Sequence, residues 1–201
     1  MRVLFLTSTR IGDAVLSSGL LAHLVLTLPE ARFTIACGPL VAPLFTATPR
    51  LDRIIAVQAA YVRCIDSNAL EAWPDFFTEQ CLYKVTTAEN FRLGFEAGII
   101  YADSKGMLVD RIVSLRQANI YEKQSYRHIL GLPTIVRNGG GEAECETPFM
   151  VARIMHDGKT DIFATGRYLD TCRLQNNDIK FSSKIVVCDS SRIDTLLAIP
   201  L

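Results

Sequence analysis

The fold is decided by four segments near the end of the chain: SYRHILGLPTIVR (125–137), ECETPFMVARIMH (144–156), DIFATGRYLDTCRL (161–174) and IKFSSKIVVCD (179–189). Each segment is rich in the β-branched and aromatic residues that favour strands. Short turns separate them, and the Asp-Gly pair in HDGKT (156–160) is typical of a tight hairpin. The pattern predicts a meander of long antiparallel strands.

Helical patterns occupy the part of the chain before these strands. AAYVRCIDSNALEAW (59–73) has apolar residues every four positions, and MLVDRIVSLRQANI (107–120) carries an apolar stripe with Arg111 facing elsewhere. CLYKVTT (81–87), which lies between the two helices, has the composition of a strand. Helices followed by an antiparallel meander predict an α+β fold.

The first 57 residues have a different pattern. RVLFLT (2–7) and RFTIAC (32–37) read as short buried strands, and AVLSSGLLAHLVLTL (14–28) between them reads as a helix, which predicts a small Rossmann-like β-α-β fragment. The segment resembles the amino-terminal start of heptosyltransferase-type (family 9) glycosyltransferases. That resemblance implies a role for Asp13 at an acceptor site, as a candidate base.

The change of pattern predicts two domains, residues 1–57 and residues 59–201. No linker rich in proline, glycine or serine joins them. The resemblance to glycosyltransferases stops at this boundary, and the sequence has no counterpart of their nucleotide-sugar-binding domain. We therefore expect residues 1–57 to be an appendage of the larger domain without glycosyltransferase activity of its own.

Composition excludes several classes of function. The chain has 21 basic and 21 acidic residues and no basic run, so it lacks the field that attracts nucleic acid or an anionic membrane. No apolar run approaches the roughly 20 residues that span a bilayer. No export signal is evident at the amino terminus, and the six cysteines form no close pair, so we expect a cytoplasmic protein with free, buried thiols.

The histidines offer no metal site. His128 and His156 fall in different predicted strands, His23 belongs to the amino-terminal fragment, and no other His or Cys lies within five residues of His128 or His156. A mononuclear iron site needs two His and a carboxylate, and a Rieske cluster needs two Cys and two His. We expect neither group on this chain.

The larger domain resembles a known family through four phrases: WPDFFTEQCLYKVTT (73–87), IIYADSKGMLVDRIVSLRQANIYEKQSYRHILGLP (99–133), ETPFMVARIMHDGKTDIFATGRYLD (146–170) and KIVVCDSS (184–191). The family is the small (β) subunit of bacterial aromatic-ring-hydroxylating dioxygenases. The resemblance implies the nuclear transport factor 2-like (NTF2-like), cystatin-like cone, a curved antiparallel sheet with amino-terminal helices. It also implies a β chain without an active site of its own.

The same resemblance implies the partners. In that family an α subunit holds the [2Fe–2S] Rieske cluster and the mononuclear iron, binds the arene and receives electrons from a reductase, directly or through a ferredoxin. The expected assembly is a hetero-oligomer of α and β chains, a hexamer, in the cytoplasm. The sequences of these four segments are similar to those of family members that act on carboxylated arenes.

Candidate contact residues lie in YEKQSYRHILGLP (121–133) and on the helix before it. Tyr126, Arg127 and His128 are of the types enriched at interface cores, and Arg111 is expected behind them. An ordinary half-buried strand would have a similar composition. The sequence therefore leaves open whether these four residues contact another subunit.

A stand-alone pocket enzyme of the isomerase or dehydratase type is the main alternative. It would place Asp103 or Asp110 near His128, with Tyr83 and Tyr101, inside a closed apolar cavity. Ordinary ion pairs of Asp110 and Arg111 with Arg127 or with neighbouring subunits would use some of the same residues. The apolar ending DTLLAIPL (194–201) is expected to pack onto the sheet or a partner.

Overall fold

The computed structural model describes residues 2–6, 11–28, 32–36, 48–118, 122–139, 141–175, 178–192 and 197–201. The chain divides into two compact units, Met1–Arg53 and Ile54–Leu201. The helix Thr48–Asp66 begins in the first unit and continues into the second.

The first unit contains the β-α-β order that its sequence predicts. Strand β1 (Arg2–Leu6) pairs in parallel with β2 (Arg32–Ala36), and helix α1 (Ile11–Thr27) connects them in sequence. Asp13 falls in the first turn of α1, and the structure describes its main chain but not its side chain. Cys37 lies outside the described residues.

The second unit begins with helices and ends with long strands, which confirms the predicted α+β class. Its elements are, in order, α2 (Thr48–Asp66), a 3-10 helix (Leu70–Phe76), β3 (Phe77–Thr87), α3 (Ala88–Arg92), β4 (Ile100–Ala102), α4 (Lys105–Gln117), β5 (Gln124–Leu130), β6 (Thr134–Gly139), β7 (Glu142–Met155), β8 (Thr160–Gln175) and β9 (Asp178–Cys188). The strands form one sheet in the order β4-β3-β9-β8-β7-β5, and β6 also pairs with β7.

The direction in which strand β3 pairs with the sheet is not predicted by the sequence patterns. It pairs in parallel with β9, whereas β7, β8 and β9 are antiparallel as expected. Tyr83 lies opposite Lys184 and Lys84 lies opposite Ile185. Because side chains alternate along a strand, Tyr83 and Lys184 share the inner face of the sheet while Lys84 and Ile185 share the outer face.

The segment predicted as one strand over 125–137 is two strands. Strand β5 ends at Leu130 and β6 begins at Thr134, and both pair with β7. Pro133 lies between them and has no N–H to donate to a ladder, so the strand breaks there. The prediction of a single long strand was wrong at this point.

The predicted helix 59–73 also ends early. Helix α2 stops at Asp66, and Asn68 adopts the left-handed conformation with φ 57°, which Asn tolerates better than most residues. A 3-10 helix then carries Trp73 into the core, where its side chain is fully buried.

The helices of the second unit pack an apolar face against the inner side of the sheet. Their fully buried contributions are Ile54 and Tyr61 from α2, Leu70 and Trp73 from the 3-10 helix, and Leu108 from α4. Among the described helices, none has an apolar stretch long enough to cross a membrane.

Candidate functional site

A lysine and an aspartate lie at the centre of the inner face of the sheet, completely shielded from solvent. Lys184 on β9 and Asp170 on β8 are register partners, and both side chains are 0% exposed. The Lys184 ammonium lies 3.0 Å from Oδ2 and 3.1 Å from Oδ1 of Asp170. Burial raises the pKa of Asp170, while Lys184 and a hydrogen bond from Gln58 act in the opposite direction.

Gln58 of helix α2 completes this ion pair. Its Oε1 accepts a hydrogen bond from Lys184 Nζ at 3.0 Å, and its Nε2 donates to Asp170 and, at 3.1 Å, to Thr147 Oγ1 on β7. Buried charges require partners of this kind because desolvation otherwise outweighs their attraction. The network therefore ties α2 to three adjacent strands.

Three aromatic rings surround the same ammonium group. Lys184 Nζ lies 4.0 Å from the ring centroid of Tyr168, 4.3 Å from that of Phe181 and 4.4 Å from that of Tyr61. At these distances the negative faces of the rings attract a cation. Hydrogen-bond acceptors and rings together enclose the ammonium and leave no solvent-exposed side.

The last residues of the chain close the inner face near these rings. The main-chain O of Leu201 accepts hydrogen bonds from Tyr61 at 2.7 Å and Tyr83 at 3.1 Å, and its N–H donates to the Tyr83 hydroxyl. Arg111 of α4 donates to the carbonyl of Leu197 at 2.6 Å. Leu197, Ile199 and Leu201 are buried, as their sequence predicts, and Leu196 lies outside the described residues.

The residues of the pocket-enzyme alternative do not converge. Asp103 and Asp110 are exposed, Tyr101 is about half exposed on β4, and Tyr83 binds the main chain of Leu201. The fifth residue, His128, binds a different carboxylate. The inner face of the sheet contains the Lys184 network and the buried residues 197–201.

The predicted contact residues on β5 point in alternate directions. Tyr126 and His128 are buried, and Arg127 between them is exposed. The His128 Nδ1 lies 2.6 Å from Asp66 Oδ1, and the main-chain N–H of His128 donates to Asp66 Oδ2 at 3.0 Å. Arg111 is half-buried and donates to Leu197, and the Tyr126 ring stacks on that of Phe163. Arg111, Tyr126 and His128 therefore all contact other residues of this chain.

An open groove of about 430 Å³ runs between α2 and β5 beside Arg127. It is lined by Ala59, Val62, Arg63, Asp66, Ser67, Arg127, His128 and Leu130. The groove exposes two arginines, and the carboxylate of Asp66 lies at its base, bound to His128.

The described residues do not fit an iron group. His156 lies 3.1 Å from Glu122, His128 is held by Asp66, and within the described part of the chain no three His, Cys, Asp or Glu side chains cluster as metal ligands would. The described cysteines are buried free thiols, and burial raises the pKa of Cys81 and of Cys188 to about 11.

The model of the family described as "Ring hydroxylating beta subunit" matches residues 60–195. Among the relatives is a protein from Comamonas sp named terephthalate 1,2-dioxygenase, terminal oxygenase component subunit beta 1. It is 51% identical to this chain over 149 residues, which cover 74% of this chain and 97% of that protein. The anthranilate 1,2-dioxygenase small subunit from Burkholderia cepacia is 38% identical, with coverage of 74% and 92%.

Solved structures agree with these sequence relatives. A β subunit assigned to an aromatic-ring-hydroxylating dioxygenase from Novosphingobium aromaticivorans superposes with a TM-score of 0.71 at 37% identity and covers 77% of this chain and 99% of that chain. A protein from the same organism that is described as a scytalone dehydratase has a TM-score of 0.55 at 15% identity, with coverage of 76% and 95%, and shows the shared cone fold alone.

The Lys184 network was missed in the sequence, and only half of it carries a signal there. Asp170 lies on the apolar face of its predicted strand, between Tyr168 and Cys172, where a charge is unusual. Strict alternation instead puts Lys184 on the side of Lys180 and Ser182, and a register shift between β8 and β9 brings it to the inner face. Gln58 had no such signal because its partners are remote in sequence.

We predict that the free energy of unfolding falls between about pH 10 and pH 12. Burial raises the pKa of Tyr61 and Tyr168 well above the ordinary value of 10.0 and raises that of Tyr83 to about 12. The folded state therefore favours the protonated phenols, so stability is complete below pH 10 and is lost as pH rises through the folded pKa, by roughly 3 kcal/mol for Tyr83.

Urea unfolding at a series of pH values, with phenolate absorbance recorded in parallel, measures this loss. Tyr83→Phe is expected to reduce the alkaline loss, and Tyr101→Phe, which removes an exposed phenol, is the control. Phenolate formation by all the tyrosines near pH 10 in a chain that stays folded would contradict the burial of these rings.

Proposed function

The chain belongs to the family of ring-hydroxylating dioxygenase β subunits, and we propose that it braces the catalytic α subunit of a terminal oxygenase without an active site of its own. The observation that carries this proposal is the closed set of polar contacts on the inner face. Lys184, Asp170 and Gln58 satisfy one another there, and the main chain of Leu201 binds Tyr61 and Tyr83. The charges of Lys184 and Asp170 are therefore neutralised within the chain and are not free for a substrate.

The α subunit is proposed to carry the redox chemistry. A Rieske cluster and a mononuclear iron on that subunit would supply electrons and activate dioxygen, with reducing equivalents from a reductase or a ferredoxin. The residues of the β chain bind neither group in this proposal. Their role is to hold the fold and to present contact surfaces to neighbouring subunits.

Carboxylated arenes are the proposed substrate class of the assembled oxygenase. The relatives that support it are named for terephthalate and anthranilate dioxygenases, at 51% and 38% identity to this chain. We propose that the enzyme dihydroxylates such arenes during aromatic compound catabolism in the cytoplasm, as part of an α/β hetero-hexamer. The buried free thiols of this chain fit a reducing compartment.

The exposed arginine of β5 is the proposed contact to a neighbouring subunit. Arg127 projects from a groove that also contains Arg63. Tyr126 and His128 fix the strand from its buried side, and Arg111 acts further away by holding Leu197. Arginine at the edge of a partly apolar groove is a common interface anchor.

We predict that the full chain elutes with a co-expressed α subunit and that iron elutes with the complex. Arg127→Ala is expected to weaken this association because an interface anchor is lost, whereas Arg173→Ala, an exposed arginine of β8, is the matched control. Size-exclusion chromatography with elemental analysis measures both effects.

The outcome that contradicts the proposal is a chain that stays apart from every α subunit and by itself converts a small substrate by a route that Asp110→Asn abolishes. That outcome would favour the pocket enzyme. About one iron per isolated β chain would equally contradict a role without redox chemistry.

We also propose that the amino-terminal region, predicted as residues 1–57, is an appendage. Ile54 and Gln58 belong to the core of the larger unit, so a deletion has to stop before α2. Removing residues 1–47 is predicted to change the free energy of unfolding of the remainder by less than about 0.5 kcal/mol. Removing residues 1–58 is the comparison and should destabilise it strongly. A loss of several kcal/mol in the shorter deletion would contradict the appendage.

A further inference from the structure

A second buried lysine lies on the opposite, outer face of the sheet without a carboxylate partner. Lys84 of β3 is 9% exposed, and its ammonium donates to the main-chain O of Phe95 at 2.6 Å. Within the described part of the chain, no ion pair of Lys84 with an Asp or Glu is formed. Lys184 shows what the same group receives elsewhere in this sheet: a carboxylate and an amide oxygen.

Lys84 lies at the base of an open pocket. Its register partners are Tyr101 on β4 and Ile185 on β9, so the three side chains form a row across the outer face. The pocket has a volume of about 500 Å³ and is lined by Leu82, Lys84, Glu96, Ala97, Tyr101 and Ile185. Glu96 lies at the exposed rim of this pocket and is not paired with Lys84.

Apolar side chains are exposed along the segment that covers Lys84. Phe91, Leu93, Phe95 and Ile99 are 37%, 51%, 54% and 45% exposed. The segment also passes close to the sheet, because a Cβ at Gly98 would lie 2.6 Å from the main-chain O of Val85. Neighbouring apolar residues of this kind around a charged pocket are typical of protein interfaces.

The chemistry of the pocket indicates what completes it. A largely buried ammonium group with a carbonyl as its acceptor is poorly compensated for its lost hydration. A carboxylate is the matching group, and an apolar surface around it would match the exposed rim. A largely buried charge within a ring of apolar contacts is typical of the residues that contribute most to binding at an interface.

We propose that this surface, the Lys84 pocket with its rim of residues 91–101, receives an acidic side chain set among apolar residues of the α subunit. The inference rests on the proposed function, because that function supplies the partner. Four exposed apolar side chains lie on the segment beside the pocket, which favours a protein surface over a small free carboxylate as the occupant. The relatives are β or small subunits of dioxygenases, so the α subunit is the partner that the proposed function supplies.

The test is the affinity of purified α subunit for the full β chain and its variants. Lys84→Met keeps the length of the side chain and removes the charge, so association should weaken by roughly tenfold or more. The thermal midpoint of the isolated variant should stay equal or rise, because a poorly compensated buried charge has been removed. Lys159→Met, at an exposed lysine of the turn before β8, should leave the affinity within about twofold.

Two further variants separate the remaining outcomes. Phe95→Ala alters an exposed rim side chain and should also weaken association, which keeps the test decisive if Lys84→Met folds poorly. Glu96→Gln should leave α binding unchanged or strengthen it, because the negative charge of Glu96 at the rim would repel an incoming carboxylate. Normal α binding by both Lys84→Met and Phe95→Ala would overturn the inference.

Failure of the proposed function looks different from failure of this inference. If the wild-type chain binds no α subunit, the proposed function fails. If the wild type binds and these variants bind equally well, the Lys84 pocket alone is excluded. Loss of β self-association in both Lys84→Met and Glu96→Gln, with α binding intact, would identify a second copy as the occupant and overturn the assignment to α.

Discussion

The buried ion pair between Lys184 and Asp170 constrains the rest of the larger domain. Neither charge can reach water, so each depends on the other and on Gln58. A shift of β9 against β8 by one residue would move Lys184 to the outer face and leave Asp170 unpaired. The pair therefore fixes the register of β8 against β9, and through Gln58 it fixes the position of α2.

The same ion pair also limits which functions the inner face of the curved sheet can have. The fold hosts unrelated functions, and the choice between them rests on the inner face. Here that face holds a neutralised ion pair, three aromatic rings and the main chain of Leu201. The contact groups that we propose, Arg127 and the Lys84 pocket, both lie outside this face. This arrangement is consistent with a β subunit whose partner carries the chemistry.

Local sequence patterns predicted much of the fold, but they could not predict which strands that are distant in sequence pair with each other. The alternation of residues in β7, β8 and β9 and the stripe of α4 were visible in the sequence. The parallel pairing of β3 with β9 joins segments about 100 residues apart, which no local period encodes. Pro133 carried a readable signal for a strand break that the composition of the flanking residues masked.

The candidate sites divide in the same way. Residue type suggested Tyr126, Arg127 and His128 as contacts, but the direction of each side chain depends on the pairing of β5, which buries two of them. Lys84 and Lys184 look alike in the sequence, as single lysines within apolar strands. Only the sheet determines that one of them lies opposite an aspartate and the other opposite Ile185.

A double-mutant cycle on Lys184→Met and Asp170→Leu tests most directly whether the interior is held by a closed ion pair. Each single variant leaves one buried charge without its partner and should lower the free energy of unfolding by about 3–5 kcal/mol. The double variant should recover most of that loss, because an apolar pair needs no compensation. Single losses that simply add in the double variant, or single variants as stable as the wild type, would show that the two charges do not depend on each other and would contradict the account.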